Sequence, residues 1–471
     1  MAESLKQTKE TVYQEFDNNA LPALLDYVRI PNLSQMFDPE WNTNGLLDKA
    51  AEHIKNWIIK QGIKGTKVEI LREDQKAPLI FVEIDRTDSG DDTVLFYGHY
   101  DKQPHFLPWK EGLSPIDPVI IDGKLYGRGC ADDGYSAFSA TLCVKVNQML
   151  GKKHPRICMM IEGAEESSSA NFLYYLEKLQ SRVGKPKLVV CLDSGAGDYE
   201  TMWLTDSLRG NIKGELKVKV LNEGVHSGDA SGIVPDSFRI LRDLLDRVEN
   251  PKTGEINEIF QVDIPPNRYA QVYDVVKILD KTIVDQYPFI NKDMKPVTEN
   301  LLQSYLNRTW RAQLAIVGVD GLPSCANAGN VLRPETSIRF SLRLPPTCKG
   351  PEVAPKLKEL LEKDAPYGCE VTCDILSAMS GFNSPDLDKE IQTSLQSACQ
   401  SYFGKPYLCQ GEGGSIPLMN LFNEKWPGVQ FIVTGVLGPN SNAHGPNEML
   451  HLDFCKKLTC CLTQMLGDMA V

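Results

Sequence analysis

The sequence predicts an α/β fold: a largely parallel sheet with helices on both faces, interrupted by an inserted α+β domain. Two observations carry this reading. In the first two hundred residues, short and fully apolar runs alternate with helix-like stretches: Leu79-Ile80-Phe81-Val82, Val94-Leu95-Phe96-Tyr97, Ile157-Cys158-Met159-Met160-Ile161 and Leu188-Val189-Val190-Cys191-Leu192. Continuously apolar strands separated by helices belong to sheets buried on both faces. After about Arg209 the pattern changes to alternation, as in Glu215-Leu216-Lys217-Val218-Lys219-Val220 and Ser337-Ile338-Arg339-Phe340-Ser341-Leu342-Arg343-Leu344. Alternation marks strands with one wet face.

The elements follow in order. From Leu5 to Ile63 the chain reads helical, with Leu21, Leu24, Leu25 and Val28 at helical spacing. The apolar strands come next, and Tyr135–Met149 reads as a helix between two of them. Residues 209–382 read as the inserted domain. Apolar strand character returns with Phe431-Ile432-Val433-Thr434. The expected organisation is thus an outer domain built from residues 1–208 and 383–471, with residues 209–382 inserted. The sequence has no internal repeat.

Composition restricts function. The 471 residues are 42% hydrophobic and 24% charged, which fits a globular protein and excludes a disordered or collagen-like one. The net charge of −12 argues against a nucleic-acid partner. No apolar stretch is long enough for a transmembrane helix, and the start, MAESLKQTKETVYQEF, lacks the apolar core of a secretory signal. The 13 cysteines are odd in number, scattered and without a CxxC pair, and read as reduced thiols in a cytoplasmic protein.

Each apolar strand of the outer domain is followed by groups that carry chemistry. Val94–Tyr97 leads into Gly98-His99-Tyr100-Asp101, Ile157–Ile161 into Glu162-Gly163-Ala164-Glu165-Glu166, and Leu188–Leu192 into Asp193. Phe431–Thr434 leads to a loop with Asn442-Ala443-His444-Gly445, and Tyr126–Gly134 supplies Asp132-Asp133 ahead of a helix. Ligands bind beyond the carboxyl ends of strands in open α/β sheets. Any one of these residues has an ordinary structural reading: a histidine in a loop, a solvated acid pair, an acid at a helix start. Their coincidence at one sheet edge does not. Clustered carboxylates repel one another, and their burial is costly unless a cation neutralises them. Mixed imidazole and carboxylate donors suit Zn²⁺, with Mn²⁺ or Co²⁺ as alternatives, and five ligands suit two metals if one carboxylate bridges.

The motifs GHYDKQP around His99, GRGCADDG around Asp132, EGAEES around Glu165 and NAHGPNE around His444 resemble the co-catalytic dizinc peptidases. That family includes carnosinases, cytosolic non-specific dipeptidases, aminoacylases and glutamate carboxypeptidases. The resemblance runs in order along essentially the whole chain and leans to the dipeptidase branch. It implies that His99 and Asp193 bind one metal, Glu166 and His444 the other, and that Asp132 bridges them. Asp101 would orient the His99 imidazole, and Glu165 would be the general base for a metal-bridging water that attacks a peptide carbonyl. The inserted domain would be a lid and dimerisation domain. His226, in Gly224-Val225-His226-Ser227-Gly228, would reach the partner's active site in a homodimer and stabilise the oxyanion. Asn330, Arg343, and Gly414 and Ser415 of Gly411-Glu412-Gly413-Gly414-Ser415 match substrate-binding positions, with Arg343 suited to a carboxylate.

Three features depart from the family pattern. Gly411 stands where many dipeptidases have Arg, Gly134 where many have Lys, and Ser167-Ser168-Ser169 replaces a Gly-containing run. The expected activity is hydrolysis of short peptides, chiefly dipeptides. The alternatives are an N-acyl-amino-acid amidohydrolase using the same metals, and a metal-binding protein without turnover, against which the spare carboxylate of Glu165 argues.

Overall fold

The structure, a computed structural model, describes residues 2–470. Its two principal sheets use strands β1 (Thr66–Glu73), β2 (Lys76–Ile84), β3 (Thr93–His99), β4 (Arg156–Glu162), β5 (Leu188–Cys191), β6 (Gly210–Lys219), β7 (Gln313–Asp320), β8 (Glu335–Leu344), β9 (Glu370–Met379) and β10 (Gln430–Val433). The chain forms two compact units. One comprises Met1–Thr205, Ser384–Cys409 and Phe422–Val471; the other comprises Asp206–Asn383 and Gln410–Leu421.

The first unit holds a six-stranded sheet in the order β1-β2-β4-β3-β5-β10. Strand β3 runs parallel to β4 and β5, and β5 parallel to β10. β1 and β2 add an antiparallel edge. Every residue of β3 is buried, which is why its sequence is apolar without alternation. β1 is half-wet, with Lys67, Glu69 and Arg72 exposed, so it carries no long apolar run and escaped the sequence reading. The helix Tyr135–Met149 is buried along Tyr135–Val144, and it packs on β3 and on the helix Leu452–Asp468.

The N-terminal region is helical as expected over Ala2–Glu15, Leu21–Val28 and Leu46–Lys60, but not continuously. Pro31 and Pro39 cannot donate backbone hydrogen bonds, and residues 31–45 form turns that end at Gly45, with φ of 71°. Among the described residues no helix is long and apolar enough to cross a membrane, and all 13 cysteines are free thiols.

The second unit holds an antiparallel sheet in the order β7-β8-β6-β9. The alternation of the sequence becomes two faces. Ile212, Leu216 and Val218 of β6 and Ile338, Phe340, Leu342 and Leu344 of β8 bury one face. They meet Ile240, Leu241 and Leu244 of the helix Ser237–Leu245, and Leu357 and Leu361 of Gly350–Glu362. The segment Gln410–Leu421, which the sequence reading leaves in the outer domain, belongs to this unit. Long-range bonds put it there: Tyr305 Oη donates to the Gly411 carbonyl (3.2 Å), and Arg209 Nε to that of Gly413 (3.1 Å).

Candidate metal centre

The carboxyl ends of β3, β4 and β5 bring the expected residues together in the first unit. His99 is the last residue of β3 and is buried. Glu165 and Glu166 open a short turn beyond β4, Asp193 follows β5, and Asp132 lies in the turn before the helix Tyr135–Met149. Two donor groups result, His99–Asp132–Glu166 and His99–Glu165–Asp193, each with its ligand atoms within 4.8 Å of one another. Asp132 faces two ways. Its Oδ1 lies 3.2 Å from His99 Nε2 and its Oδ2 3.0 Å from His444 Nε2. His444 Nε2 is also 3.2 Å from Glu166 Oε2, and His99 Nε2 is 3.8 Å from Asp193 Oδ2. The peptide between Asp132 and Asp133 is cis.

Asp101 does more than the sequence reading assigns it. Its carboxylate lies 3.4 Å from His99 Nδ1 and accepts the backbone N–H groups of Glu165 (3.1 Å) and Glu166 (3.0 Å). Asp101 therefore orients the imidazole, with its main-chain carbonyl 3.1 Å from His99 Nδ1 as well as its carboxylate, and the carboxylate holds the turn that carries both glutamates.

The electrostatics are those of a site short of positive charge. Burial and then the Asp193 charge push Glu165 well above the ordinary carboxylate range, and burial and Asp132 raise Glu166. Asp193 is pushed up to about 7, chiefly by burial. His444 is lifted to about 11 by Asp132 and Glu166. For His99 burial alone would lower the value, but Asp101 and Asp132 outweigh it and raise it. Burial likewise opposes the ionised form of Asp132, yet the two imidazoles hold it low. The upward shifts of His99 and His444 both come from these acids, which favour positive charge between them. The donor set fits divalent metal ions on a further count: Glu166 Oε1 is buried without a hydrogen-bond partner, while Oε2 accepts from Gln103 Nε2 (2.5 Å).

Residues passed over in the sequence reading hold this cluster in place. Glu448 is fully buried and accepts from the backbone N–H groups of Gly129 (2.8 Å), Ala131 (2.9 Å) and Asp132 (3.1 Å). It pairs with Arg128 at 2.8 Å, and Arg128 also donates to the Gly445 carbonyl (2.5 Å). This pair ties the Asp132 turn to the His444 loop. Both residues lie inside motifs already singled out, so the signal was a charged residue of each sign in GRGCADDG and NAHGPNE. On the other side, the interrupted N-terminal region grips the His99 loop. Lys102 Nζ donates to the carbonyls of Tyr27 (3.0 Å), Val28 (3.2 Å) and Ile30 (2.7 Å), while Tyr27 Oη (2.6 Å) and Asn32 Nδ2 (2.5 Å) donate to the Tyr100 carbonyl. Ser34 Oγ meets Ser167 Oγ at 2.5 Å, next to Glu166. Tyr27 also accounts for Gly134: a Cβ there would lie 2.2 Å from the Tyr27 ring and 2.4 Å from the Gly129 carbonyl, leaving no room for a lysine. At Gly411 a Cβ would meet Ser207 Oγ at 2.7 Å.

The remaining expected residues lie in the second unit. His226 is exposed and its Nδ1 accepts from Gly228 N (3.1 Å). Its neighbour Ser227 donates its N–H to the Asn330 carbonyl (3.0 Å). Arg343 Nη1 donates to Ser415 Oγ (3.2 Å), and the Gly414 carbonyl accepts from Arg209 N (3.0 Å).

Comparison with known proteins agrees with this chemistry. A family model, that of Peptidase family M20/M25/M40, matches residues 95–468. The Cysteinylglycine-S-conjugate dipeptidase of Corynebacterium striatum is 26% identical over 361 residues, 76% of this chain and 76% of that protein. The Cys-Gly metallodipeptidase dug1 of Schizosaccharomyces pombe is 25% identical over 451 residues, covering 89% of this chain and 90% of its own. Among solved structures, the dipeptidase Dug1p from Saccharomyces cerevisiae shares the fold, with a TM-score of 0.78 at 20% identity over 99% of both chains.

Proposed function

Because the chain belongs to Peptidase family M20/M25/M40, and is therefore a metal-dependent peptidase, we propose that it is a dipeptidase using two divalent ions, Zn²⁺ before Mn²⁺ or Co²⁺. The observation that carries the dinuclear reading is the two-way geometry of Asp132, one oxygen toward His99 and the other toward His444. On this reading His99 and Asp193 hold one ion, Glu166 and His444 the other, and Asp132 both. When bound, such a pair supplies a Lewis acid for the scissile carbonyl and a lowered pKa for the attacking water.

The chain's own residues do the rest. Glu165 lies in a donor group with His99 and Asp193, and on this reading it is the carboxylate that is left free as the base. It takes the proton of the attacking water and returns it to the leaving amine. Its raised affinity for a proton, set by burial and Asp193, suits that exchange. Asp101 keeps Glu165 in register through the backbone N–H. In the second unit His226 serves as the oxyanion donor of a partner subunit, and Asn330, Arg343, Gly414 and Ser415 bind substrate, with Arg343 on its carboxylate. Strand β7 supports the homodimer: it is an edge strand on which Ile316, Val317 and Val319 are exposed.

The test is a panel of dipeptides and their N-acetylated counterparts, assayed with Zn²⁺, Mn²⁺ and Co²⁺, beside metal analysis of the pure protein. Free dipeptides should be cleaved and acetylated ones spared, with metal approaching two equivalents and both reduced in Asp132→Ala. Cleavage of only the acylated compounds would overturn the dipeptidase reading. Saturation at one equivalent would overturn the dinuclear one.

A further inference from the structure

Positive charge gathers around the Gly413–Ser415 loop of the second unit, while the acid that precedes the loop, Glu412, accepts from Gln410 Nε2 (3.4 Å). Arg343 donates to Ser415 Oγ (3.2 Å), and the Ser415 hydroxyl donates in turn to the Arg209 carbonyl. Arg209 is buried, 8% exposed, and its guanidinium reaches only backbone carbonyls: Gly413 (3.1 Å), Asn307 (3.3 Å) and Arg311 (3.4 Å). Arg308 arrives from the helix Leu301–Thr309 with its guanidinium over the Tyr305 ring, 4.6 Å from the centroid; burial opposes its charge, but Tyr305 and Tyr287 outweigh burial and raise its pKa. Gly413 is the notch where these meet. A Cβ there would lie 3.0 Å from Arg209 Nη2, 3.0 Å from the Arg308 carbonyl and 3.3 Å from Arg308 Cγ. Among the described residues none of the three arginines pairs with a carboxylate. Burial, and then the charges of Arg343 and Arg308, pull Arg209 down to about 10. Gly414, next in the loop, is exposed with open space where a side chain would stand.

Guanidinium groups gathered without a counter-ion repel one another, and a planar anion relieves that repulsion. One α-carboxylate on Arg343 would answer one of three charges. We propose that this loop binds a substrate end bearing two carboxylates, so that the amino acid released is aspartate or glutamate, with Arg308 reading its side chain. The inference rests on the reading of Arg343 as the group that takes the substrate carboxylate. Arg209 is a positioning residue in this scheme: it fixes Gly413, Gly414 and Ser415 through three bonds and adds charge behind them. Arg308 is the specificity-determining residue, because its guanidinium, unlike that of Arg209, is held by the side chains of Tyr305 and Tyr287.

The test compares pairs that differ in charge at nearly constant shape: Ala-Glu with Ala-Gln, Ala-Asp with Ala-Asn, and N-acetylglutamate with N-acetylglutamine. The acidic member should win by about 10–100-fold in kcat/KM, the range expected for hydrogen bonds to a charged group. The ratio should collapse toward one in Arg308→Gln and survive in Arg308→Lys. Whether the peptide or the acetylated pair shows the effect identifies the source of the acidic residue. A second readout needs no turnover: calorimetry of free glutamate against free glutamine on metal-free protein should show the same preference, lost in Arg308→Gln. Equal kcat/KM for the members of a pair, or a preference that persists in Arg308→Gln, overturns the proposal. If no peptide or acetylated compound is cleaved, the dipeptidase reading fails while the binding comparison still decides this one.

Discussion

The two units hold their functional side chains by opposite means. In the first, His99, Asp101 and Asp132 are buried, and each is fixed by a further side chain. Glu448 binds the Asp132 turn through three N–H groups, and Asp101 binds the glutamate turn through two. In the second unit, His226 is exposed, Asn330 is bonded through its backbone carbonyl, and Gly414 has no side chain to fix. The first arrangement builds a rigid donor cage in which a misplaced acid is expensive. The second leaves His226 exposed, while Arg343 is tied to Ser415. Mutations should therefore separate: changes to residues that hold the cage together should cost structure and metal, and changes to exposed groups such as His226 should cost turnover alone.

The residue that most sharply tests this division is Glu165, which lies in the cage but holds nothing together. Glu165→Gln should lower kcat by about 10²–10⁴ while metal content and thermal stability stay near wild type. A mutant with near-normal kcat would remove Glu165 from the role of base.

Glu448 should behave in the reverse way. Glu448→Ala leaves Arg128 buried without its partner and three N–H groups without an acceptor. Breaking a buried ion pair from one side costs about 3–5 kcal/mol. Denaturant unfolding should show that loss, and metal titration should show weaker binding, since both the Asp132 turn and the His444 loop are released. Unchanged stability would mean that water replaces the carboxylate and that the cage is not rigid.

His226→Ala supplies the contrast from the second unit. The side chain is exposed, so stability and metal content should hold, yet loss of an oxyanion donor costs roughly 10²–10³ in kcat. Subunit exchange tells whether it acts across a dimer. Mixing inactive His226→Ala with inactive Glu165→Gln chains creates, in the trans case, one site with both lesions and one with neither. Partial recovery of activity is expected. No recovery after proven exchange would eliminate the trans arrangement.

The cage also carries a pH signature. Glu162, at the end of β4, is buried and accepts from Tyr97 Oη (2.6 Å) and Ser169 Oγ (2.8 Å); burial, the largest influence, raises it from 4.5 to about 8. The folded chain therefore keeps a proton that the unfolded chain has released. Its contribution to stability is complete below about 4.5 and is lost as pH rises through about 8. Metal-free protein should lose stability over that window by up to about 1.4 kcal/mol per pH unit from this group, and Glu162→Gln should flatten the slope. An identical slope in the mutant would assign the loss to other groups.

What could be read from sequence follows the same division. His99, Asp132, Glu165, Glu166, Asp193 and His444 were legible because each is a ligand-type residue at or beyond a strand end or at a helix start, a local signal. Arg128 and Glu448 sat inside the same motifs and went unread, because their partnership spans 320 positions and nothing local tells an ion pair from two solvated charges. The place of Gln410–Leu421 in the second unit depends on Arg209 and Tyr305, far away in sequence, and was missed for the same reason. Strand β1 was missed because an edge strand with one wet face has too few apolar residues to form a run.

The smallest effect expected is a gain, and it comes from the turn that carries the glutamates. Ser168 and Ser169 both have positive φ, 66° and 50°, where a side chain is disfavoured. They are not equivalent. Ser169 Oγ donates to Glu162, so removing it would strip a buried carboxyl of a donor. Ser168 is exposed, and among the described residues its hydroxyl has no hydrogen bond. Glycine at 168 relieves a left-handed conformation that costs about 1–2 kcal/mol, offset by the greater freedom glycine has in the unfolded chain, about 0.4–1 kcal/mol. Ser168→Gly should thus stabilise the protein by roughly 0.5–1 kcal/mol, a small upward shift in the denaturant midpoint at constant m-value. Ser169→Gly, with the same backbone relief, should gain less or lose stability, because the bond to Glu162 goes with it. If both mutants gain equally, the Glu162 bond contributes nothing and the turn is held by its backbone alone. If neither gains, the Asp101 carboxylate already sets this turn so firmly that the residue at 168 does not matter.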